Sequence, residues 1–172
     1  MCGIVGIISA SPLNALNHAQ LQRMNGALIH RGPDGSGLYQ GPHVGLAMRR
    51  LSIIDLSHGW QPLYNEDKSL ALIANGEIYN FVELRTELQQ RGHSFRTGSD
   101  CEVILHLYEE YGEDCVHRLR GMFAFALWDE RRKELFLARD RMGEKPLYLY
   151  EKDGLLYFAS ELKALLRSGV IN

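Results

Sequence analysis

Two uninterrupted runs of apolar residues constrain the fold more than any other feature of this 172-residue sequence. The runs are residues 70–74 (LALIA) and 121–128 (GMFAFALW). Side chains alternate between the two faces of a β-strand, so a strand without polar positions must be covered on both faces. We therefore predict that the central strands are buried between two layers of structure.

The connections between the predicted strands indicate how they pair. Asp153-Gly154 separates the apolar segments 147–150 and 155–159, and Asp-Gly is a strong signal for a two-residue hairpin that joins antiparallel strands. Two stacked antiparallel sheets, each covered outside by helices, would bury both faces of the apolar strands. We therefore expect an α+β fold, a four-layer αββα sandwich. The alternative is a single sheet with helices on one side, but it would leave Phe123 or Ala124 facing water.

The remaining elements follow from periodicity and turn residues. Leu21, Met24 and Leu28 recur at helical spacing, which predicts an amphipathic helix over residues 14–29. The isoleucine-rich segment 2–9 is predicted to be a buried strand. Further strands are predicted at 36–40, 44–50 and 134–139, and further helices at 81–90, after Asp100, and at 161–166.

Composition excludes several classes of protein. The formal net charge of −2 and the 45% hydrophobic content are typical of one globular domain with no affinity for nucleic acid or an anionic membrane. Three cysteines with no Cys-x-x-Cys pair indicate a reducing compartment and no disulfide framework. No segment has the length of a signal sequence or of a membrane span. We therefore expect a cytoplasmic protein.

Cys2 is the strongest candidate nucleophile. We expect removal of Met1, which would give Cys2 a free α-amine beside its thiol. The ordinary pKa values are about 8.5 for a thiol and about 7.7–8.0 for an α-amine, so both titrate near neutral pH. The amine can accept the thiol proton and later deliver it to a leaving amine. If Met1 is retained, this base is lost and the site is inactive.

Other polar residues at strand ends could complete such a site. Asn75-Gly76 offers an amide side chain and an unobstructed backbone N–H for an oxyanion, although local sequence alone favours a turn there. Arg50 could bind a carboxylate through two hydrogen bonds, or could be a solvated surface arginine. Glu77 and Asp100 could bind an ammonium group, although Asp100 could instead cap a helix. Together these groups fit an α-amino acid.

Several ordered motifs make the sequence similar to a known family. They are CGIVG at 2–6, RGPD at 31–34, RLSIID at 50–55, NGEIYN at 75–80, TGSD at 97–100, LRGMFAFA at 119–126, ARDRMGEKPLY at 138–148 and FASE at 158–161. The chain resembles the class II glutamine amidotransferase domain, most closely the glutamine-hydrolysing half of asparagine synthetases. Glucosamine-phosphate synthase and glutamine phosphoribosyl-pyrophosphate amidotransferase share the N-terminal cysteine but lack the Gly-Glu-Ile-Tyr-Asn and Gly-Ser-Asp-Cys-Glu motifs.

The resemblance implies the N-terminal-nucleophile hydrolase fold and a role for each matching residue. Cys2 would form a γ-glutamyl thioester, and Asn75 and Gly76 would form the oxyanion hole. The glutamine substrate would be bound by Arg50, Leu51, Ser52, Ile53, Ile54, Asn75, Gly76, Glu77 and Asp100. Arg31 and Asp34 are expected near the pocket, and a structural role in salt bridges is favoured over a direct role in the site.

The resemblance also implies a partner. Family members continue into an ATP-dependent synthetase domain with a Ser-Gly-Gly-x-Asp-Ser loop, which this chain lacks. We therefore expect ammonia to pass to a synthetase domain or subunit, and expect ATP and Mg²⁺ only there. We expect no cofactor in this domain and, because the seven histidines show no paired ligand spacing, no metal. The sequence leaves open whether the chain forms a homo-oligomer.

Two other functions remain open at this point. The chain could be a glutamine-binding or docking module without turnover, which retention of Met1 would favour. It could also be a structural partner of a synthetase subunit, which an exposed apolar face around the C-terminal hairpin would indicate.

Overall fold

The computed structural model describes residues 1–52, 55 and 59–171. The described residues form two antiparallel sheets. The first has five strands in the order β2-β3-β1-β9-β8, and the second has four in the order β4-β5-β6-β7. The strands are β1 (Gly3–Ser9), β2 (Gly35–Gln40), β3 (Val44–Arg50), β4 (Leu63–Tyr64), β5 (Leu70–Ile78), β6 (Gly121–Asp129), β7 (Glu134–Arg139), β8 (Tyr148–Lys152) and β9 (Leu155–Ala159). The helices are α1 (Ala15–Gly26), α2 (Phe81–Gln90), α3 (Glu102–Tyr111) and α4 (Leu162–Arg167), with a 3-10 helix at Gly112–His117.

Three separate apolar clusters define four layers. In β6, Phe125 packs toward α2 and α3, whereas the next residue, Ala126, packs toward the first sheet. In β1, Val5 packs toward α1 and α4, whereas Ile4 packs toward the second sheet. Since burying one large apolar side chain contributes about 1.5–3 kcal/mol, both faces of these strands add to stability. The expected αββα sandwich is confirmed, and the single-sheet alternative is wrong because Phe123 and Ala124 are both buried.

The local signals mostly mark element ends correctly. Asn14 caps α1, because its side chain accepts a hydrogen bond from the backbone N–H of Asn17 at 3.1 Å. The helix ends at Gly26, three residues before the predicted end. Asp153 and Gly154 form the turn between β8 and β9 with φ angles of 52° and 75°.

Three features differ from the sequence-based predictions. The two-residue strand β4 and the 3-10 helix were not predicted, because each is too short to show periodicity. Asn75-Gly76 is not a turn: β5 runs through it and pairs Asn75 with Ala124 and Gly76 with Phe123. The long antiparallel partner β6 therefore overrides the local preference of Asn-Gly. No helix among the described residues is long and apolar enough to cross a membrane.

Candidate active site

Cys2 lies immediately before β1, at an open cleft with about 540 Å³ of empty space. This space includes solvent at the mouth of the cleft. The cleft opens where β1 and β3 of the first sheet meet β5 of the second. Its lining includes seven of the ten predicted site residues, namely Cys2, Arg50, Leu51, Asn75, Gly76, Glu77 and Asp100, but not Ser52. Ile53 and Ile54 lie outside the described residues, so their expected contribution stays a prediction.

The backbone of Cys2 is held by two side chains, and a third side chain is paired with one of them. The Arg31 guanidinium donates a hydrogen bond from Nε to the Cys2 carbonyl at 2.8 Å. With its amide nitrogen turned toward Cys2, Asn75 donates to the same carbonyl at 3.0 Å and its oxygen accepts from Arg31 at 3.3 Å. Glu161, one residue before α4, pairs with Arg31 at 3.0 Å. Asn75 of the second sheet and two residues outside the sheets therefore fix the position of Cys2.

Glu161 is strongly ionised in this arrangement. Partial burial alone would raise its pKa, but hydrogen bonds from Arg31, His30 and Lys163 lower the pKa to about 2. The expected salt bridge of Arg31 is thus present. Asp34 forms no ion pair within the described part of the chain; it accepts the backbone N–H of Ser52 at 2.7 Å and so fixes the segment after Arg50.

The thiol of Cys2 faces the substrate cleft. Its sulfur lies 3.4 Å from the backbone nitrogen of Leu51, an N–H donor, and 3.6 Å from the Leu51 carbonyl. Cys101 and Cys115 are buried and free, and burial raises the pKa of the Cys115 thiol to about 12 and that of Cys101 well above its usual range. Of the three cysteines, only Cys2 combines exposure with a cleft.

Gly76 is required by space rather than by its backbone angle. A Cβ atom there would lie 2.5 Å from the Met122 carbonyl oxygen and 2.7 Å from the Phe123 Cα. Both atoms belong to the paired strand β6, so neither can move away cheaply. Glycine lets β5 and β6 approach closely, and this brings the amide of Asn75 to the edge of the cleft.

Arg50 ends β3 and is buried, with 4% of its surface exposed, so it is not a solvated surface arginine. Its guanidinium lies over the Trp60 ring at 4.9 Å and donates to the Asp55 carbonyl at 2.5 Å. A Cβ at Gly59 would lie 2.8 Å from the guanidinium nitrogen. These contacts hold a positive charge in a fixed orientation at the cleft.

Asp100 and Glu77 supply the negative charges of the cleft. Asp100 does not cap α3, whose N-cap is Cys101 without a side-chain hydrogen bond. Instead, its carboxylate accepts the backbone N–H of Ile78 at 2.7 Å, next to Glu77 on β5. Burial raises the pKa of Asp100, and the Ile78 hydrogen bond opposes that effect only in part. A cation that binds beside Asp100 would therefore stabilise a poorly solvated carboxylate.

Sequence reasoning missed seven further lining residues: Met1, Gly59, Gln61, Ala74, Ser99, Cys101 and Lys145. Gln61 accepts the backbone N–H of Ala74 at 2.6 Å, and Lys145 lies 3.4 Å from the Met1 sulfur. Lys145 and Ser99 lie inside the recognised motifs, whereas Gln61 has no sequence signal. Met1 stands at the cleft, and in the described chain the Cys2 nitrogen is part of the Met1–Cys2 peptide bond.

The family model described as "Glutamine amidotransferase domain" matches residues 1–172. The chain belongs to this glutamine amidotransferase family. Asparagine synthetase [glutamine-hydrolyzing] 1 of Bacillus subtilis is 47% identical over 168 residues. Asparagine synthetase [glutamine-hydrolyzing] 3 of Arabidopsis thaliana is 50% identical over 166 residues.

The chain corresponds to only part of these amidotransferase relatives. The alignments cover 96% of the chain but 27% and 28% of the two synthetases. Solved structures give the same fold: glutamine phosphoribosylpyrophosphate (PRPP) amidotransferase from B. subtilis matches with a TM-score of 0.76 at 23% identity. A structure titled as the allosteric regulatory enzyme of purine biosynthesis matches with a TM-score of 0.80 at 24% identity. The chain covers 44% and 43% of those chains, and 98% of this chain is matched in both.

Proposed function

We propose that residues 1–172 form the glutaminase domain of an asparagine synthetase-like amidotransferase, which hydrolyses L-glutamine to glutamate and ammonia. The observation that carries the proposal is the convergence of Cys2, Arg50, Asn75 and Asp100 on one cleft. A cation, an anion and a nucleophile at fixed positions match the α-carboxylate, the α-ammonium group and the side-chain amide of glutamine.

The substrate is oriented by its backbone groups. Arg50 binds the α-carboxylate, because its guanidinium is held at the cleft by Trp60 and Asp55. Asp100 and Glu77 bind the α-ammonium. The side-chain amide then points toward Cys2, with the backbone of Leu51 and Ser52 along the substrate and the same role expected for Ile53 and Ile54.

Hydrolysis proceeds in two steps. The Cys2 sulfur attacks the amide carbon, its proton passes to the Cys2 α-amine and then to the leaving nitrogen, and ammonia departs from a γ-glutamyl thioester. Water then attacks the thioester, which releases glutamate and restores the thiol. Asn75 has two N–H donors and uses one for the Cys2 carbonyl, so the other is available to the oxyanion with the Gly76 backbone N–H.

Activity requires removal of Met1, because only then is the Cys2 nitrogen basic. No step of this mechanism uses a cofactor; ATP and Mg²⁺ belong to the synthetase domain that receives the ammonia. The three unpaired cysteines support a cytoplasmic location.

A synthetase domain or subunit is the proposed partner, and edge strand β8 is its proposed contact. Among the described strands, β8 ends the first sheet, so one side of its backbone has no partner strand there. Tyr148 and Leu149 on β8 and Met142 in the preceding loop expose apolar side chains. Exposed apolar surface at a sheet edge is typical of a site that another chain covers.

The proposal is tested by intact mass spectrometry before and after treatment with an electrophilic diazoketone analogue of glutamine. We expect protein without Met1 to gain one adduct at Cys2, and excess glutamine to block it. Release of one ammonia per glutamate would establish turnover. Adduct formation elsewhere, or glutamine binding without ammonia release by Met1-free protein, would instead support a binding or docking module.

A further inference from the structure

A second cluster of polar side chains lies beside α3, and none of its members lines the Cys2 cleft. His106 and Glu109 are one turn apart on α3, His93 follows α2, and Glu66 precedes β5. One ligand atom from each of these four residues lies within 4.8 Å of the other three. We propose that these residues bind one divalent transition-metal ion, with zinc as the best fit.

The four histidine-to-glutamate distances within the cluster are close to those of a tetrahedral site. The His106 Nδ1 atom lies 2.9 Å from Glu109 Oε2 and 3.6 Å from Glu66 Oε2. The His93 Nδ1 atom lies 3.5 Å from Glu109 Oε2 and 3.7 Å from Glu66 Oε1. Zinc bonds to nitrogen and oxygen of about 2.0–2.1 Å place tetrahedral ligand atoms about 3.3 Å apart. Small side-chain movements would therefore close the site around an ion.

Outer hydrogen bonds already orient three of the four ligands. Glu109 accepts from Asn65 Nδ2 at 2.9 Å through Oε1, which leaves Oε2 for the ion. Glu66 accepts the backbone N–H of Ser94 at 2.8 Å. The second ring nitrogen of His93 lies 3.1 Å from Glu110. A carboxylate on the far nitrogen of a histidine is a frequent arrangement around protein-bound metals.

The charge of the cluster also favours a cation. Within the described part of the chain, neither Glu66 nor Glu109 forms an ion pair with a lysine or arginine. The two carboxylates therefore carry negative charge that no lysine or arginine in this part of the chain balances. A divalent ion would balance them.

The ion would have a structural role. It would join α3 to the residues after α2 and to those before β5, because each segment provides a ligand. Two imidazoles and two carboxylates fill a tetrahedral site, so no open position is left for catalysis. Glu66 and Glu109 are partly exposed, with 38% and 26% of their side-chain surface accessible, so an ion can reach the cluster from solvent. The 13-residue separation of the histidines in sequence hides this site from spacing rules.

The test is metal binding by the full chain in a Cys2→Ser background, which removes the accessible thiol. We expect about one zinc per chain after dialysis, measured by elemental mass spectrometry. Zinc at about a hundredfold its Kd should raise the Tm by about 5–10 °C. Cobalt should give the intense visible bands of a tetrahedral site without a thiolate charge-transfer band in the ultraviolet.

Variants at partly exposed ligands locate the site without disturbing the core. His93→Gln and Glu109→Gln should each weaken zinc binding at least tenfold, and Glu110→Gln should weaken it about tenfold through His93. His117→Gln is the matched control, because His117 and Asp114 form an exposed pair at the same helical spacing as His106 and Glu109. Folded protein that binds no zinc, or zinc binding unchanged in both His93→Gln and Glu109→Gln, would overturn the proposal.

Discussion

The chain contains two dipeptides with nearly the same turn preference and opposite structures. Asp153-Gly154 forms a hairpin turn with positive φ at both residues, as its sequence predicts. Asn75-Gly76 lies inside β5 and is paired along its length with β6. The first glycine supplies a backbone angle, whereas the second supplies room for a close approach of two strands. A turn signal in a buried antiparallel strand is therefore a reason to look for a functional site.

The largest difference between the two dipeptides should appear in catalysis. Asn75→Ala removes one proposed oxyanion donor and one contact to the Cys2 carbonyl, so kcat should fall about 10²–10³-fold, or about 3–4 kcal/mol of barrier. Asp153→Ala should leave kcat unchanged. Steady-state ammonia release by Met1-free protein measures both. Equal activity of Asn75→Ala and wild type would remove Asn75 from the mechanism.

The next difference concerns stability. Gly76→Ala places a methyl group 2.5 Å from a carbonyl oxygen of β6, so the free energy of unfolding should fall by about 3 kcal/mol. Gly154→Ala has open space around it but a φ of 75°, so it should cost only about 1–2 kcal/mol. Urea denaturation compares the two. The opposite order would mean that backbone angle matters more than strand spacing.

The next prediction concerns the contribution of Glu161 to stability. Glu161 pairs with Arg31, which, like Asn75, contacts the Cys2 carbonyl. The pKa of Glu161 in the folded protein, about 2, lies below that of an unfolded glutamate, so its stabilisation is complete above about pH 5 and is lost as the pH falls toward 2. Glu161→Gln should reduce stability by about 2 kcal/mol at pH 7, allowing for its partial exposure.

The matched control for this change is Glu134→Gln, which breaks an exposed pair with Arg132 and should alter stability by less than about 0.5 kcal/mol. Unfolding curves at pH 7 and pH 3 should show the Glu161→Gln deficit shrinking at the lower pH. A deficit that is independent of pH would show that lost packing, not the ion pairs, is responsible.

The smallest effect is confined to acidic pH. Because burial raises the pKa of Asp100, this carboxylate takes up a proton at a higher pH than an ordinary aspartate. KM for glutamine should therefore rise as the pH falls through that raised pKa, by up to tenfold per pH unit, while Asp153→Asn keeps the wild-type profile. In Asp100→Asn this dependence should be absent. A KM that stays flat in wild type would remove Asp100 from substrate binding.

The sequence was most informative where a single short segment is enough to predict a structure or a site residue. The uninterrupted apolar runs in β5 and β6 predict four layers, and the family motifs bring together Cys2, Arg50 and Asp100, which the fold also gathers at one cleft. It was least informative where distant segments combine. Gln61 at the cleft has no motif, and the Glu66, His93, His106 and Glu109 cluster depends on three segments that only the fold makes neighbours.

The pairing of β1 with β9 has a consequence for protein synthesis. The backbone of Ile4 exchanges hydrogen bonds with Ser160, one to its backbone and one to its side chain, and Glu161 holds the arginine that fixes Cys2. At a translation rate of ~5–20 residues per second, the ribosome adds these residues ~8–30 s after Cys2. The segment around Cys2 therefore lacks these contacts until nearly the whole domain has emerged. A segment that is made early in the synthesis of the domain is thus among the last to be fixed in the fold.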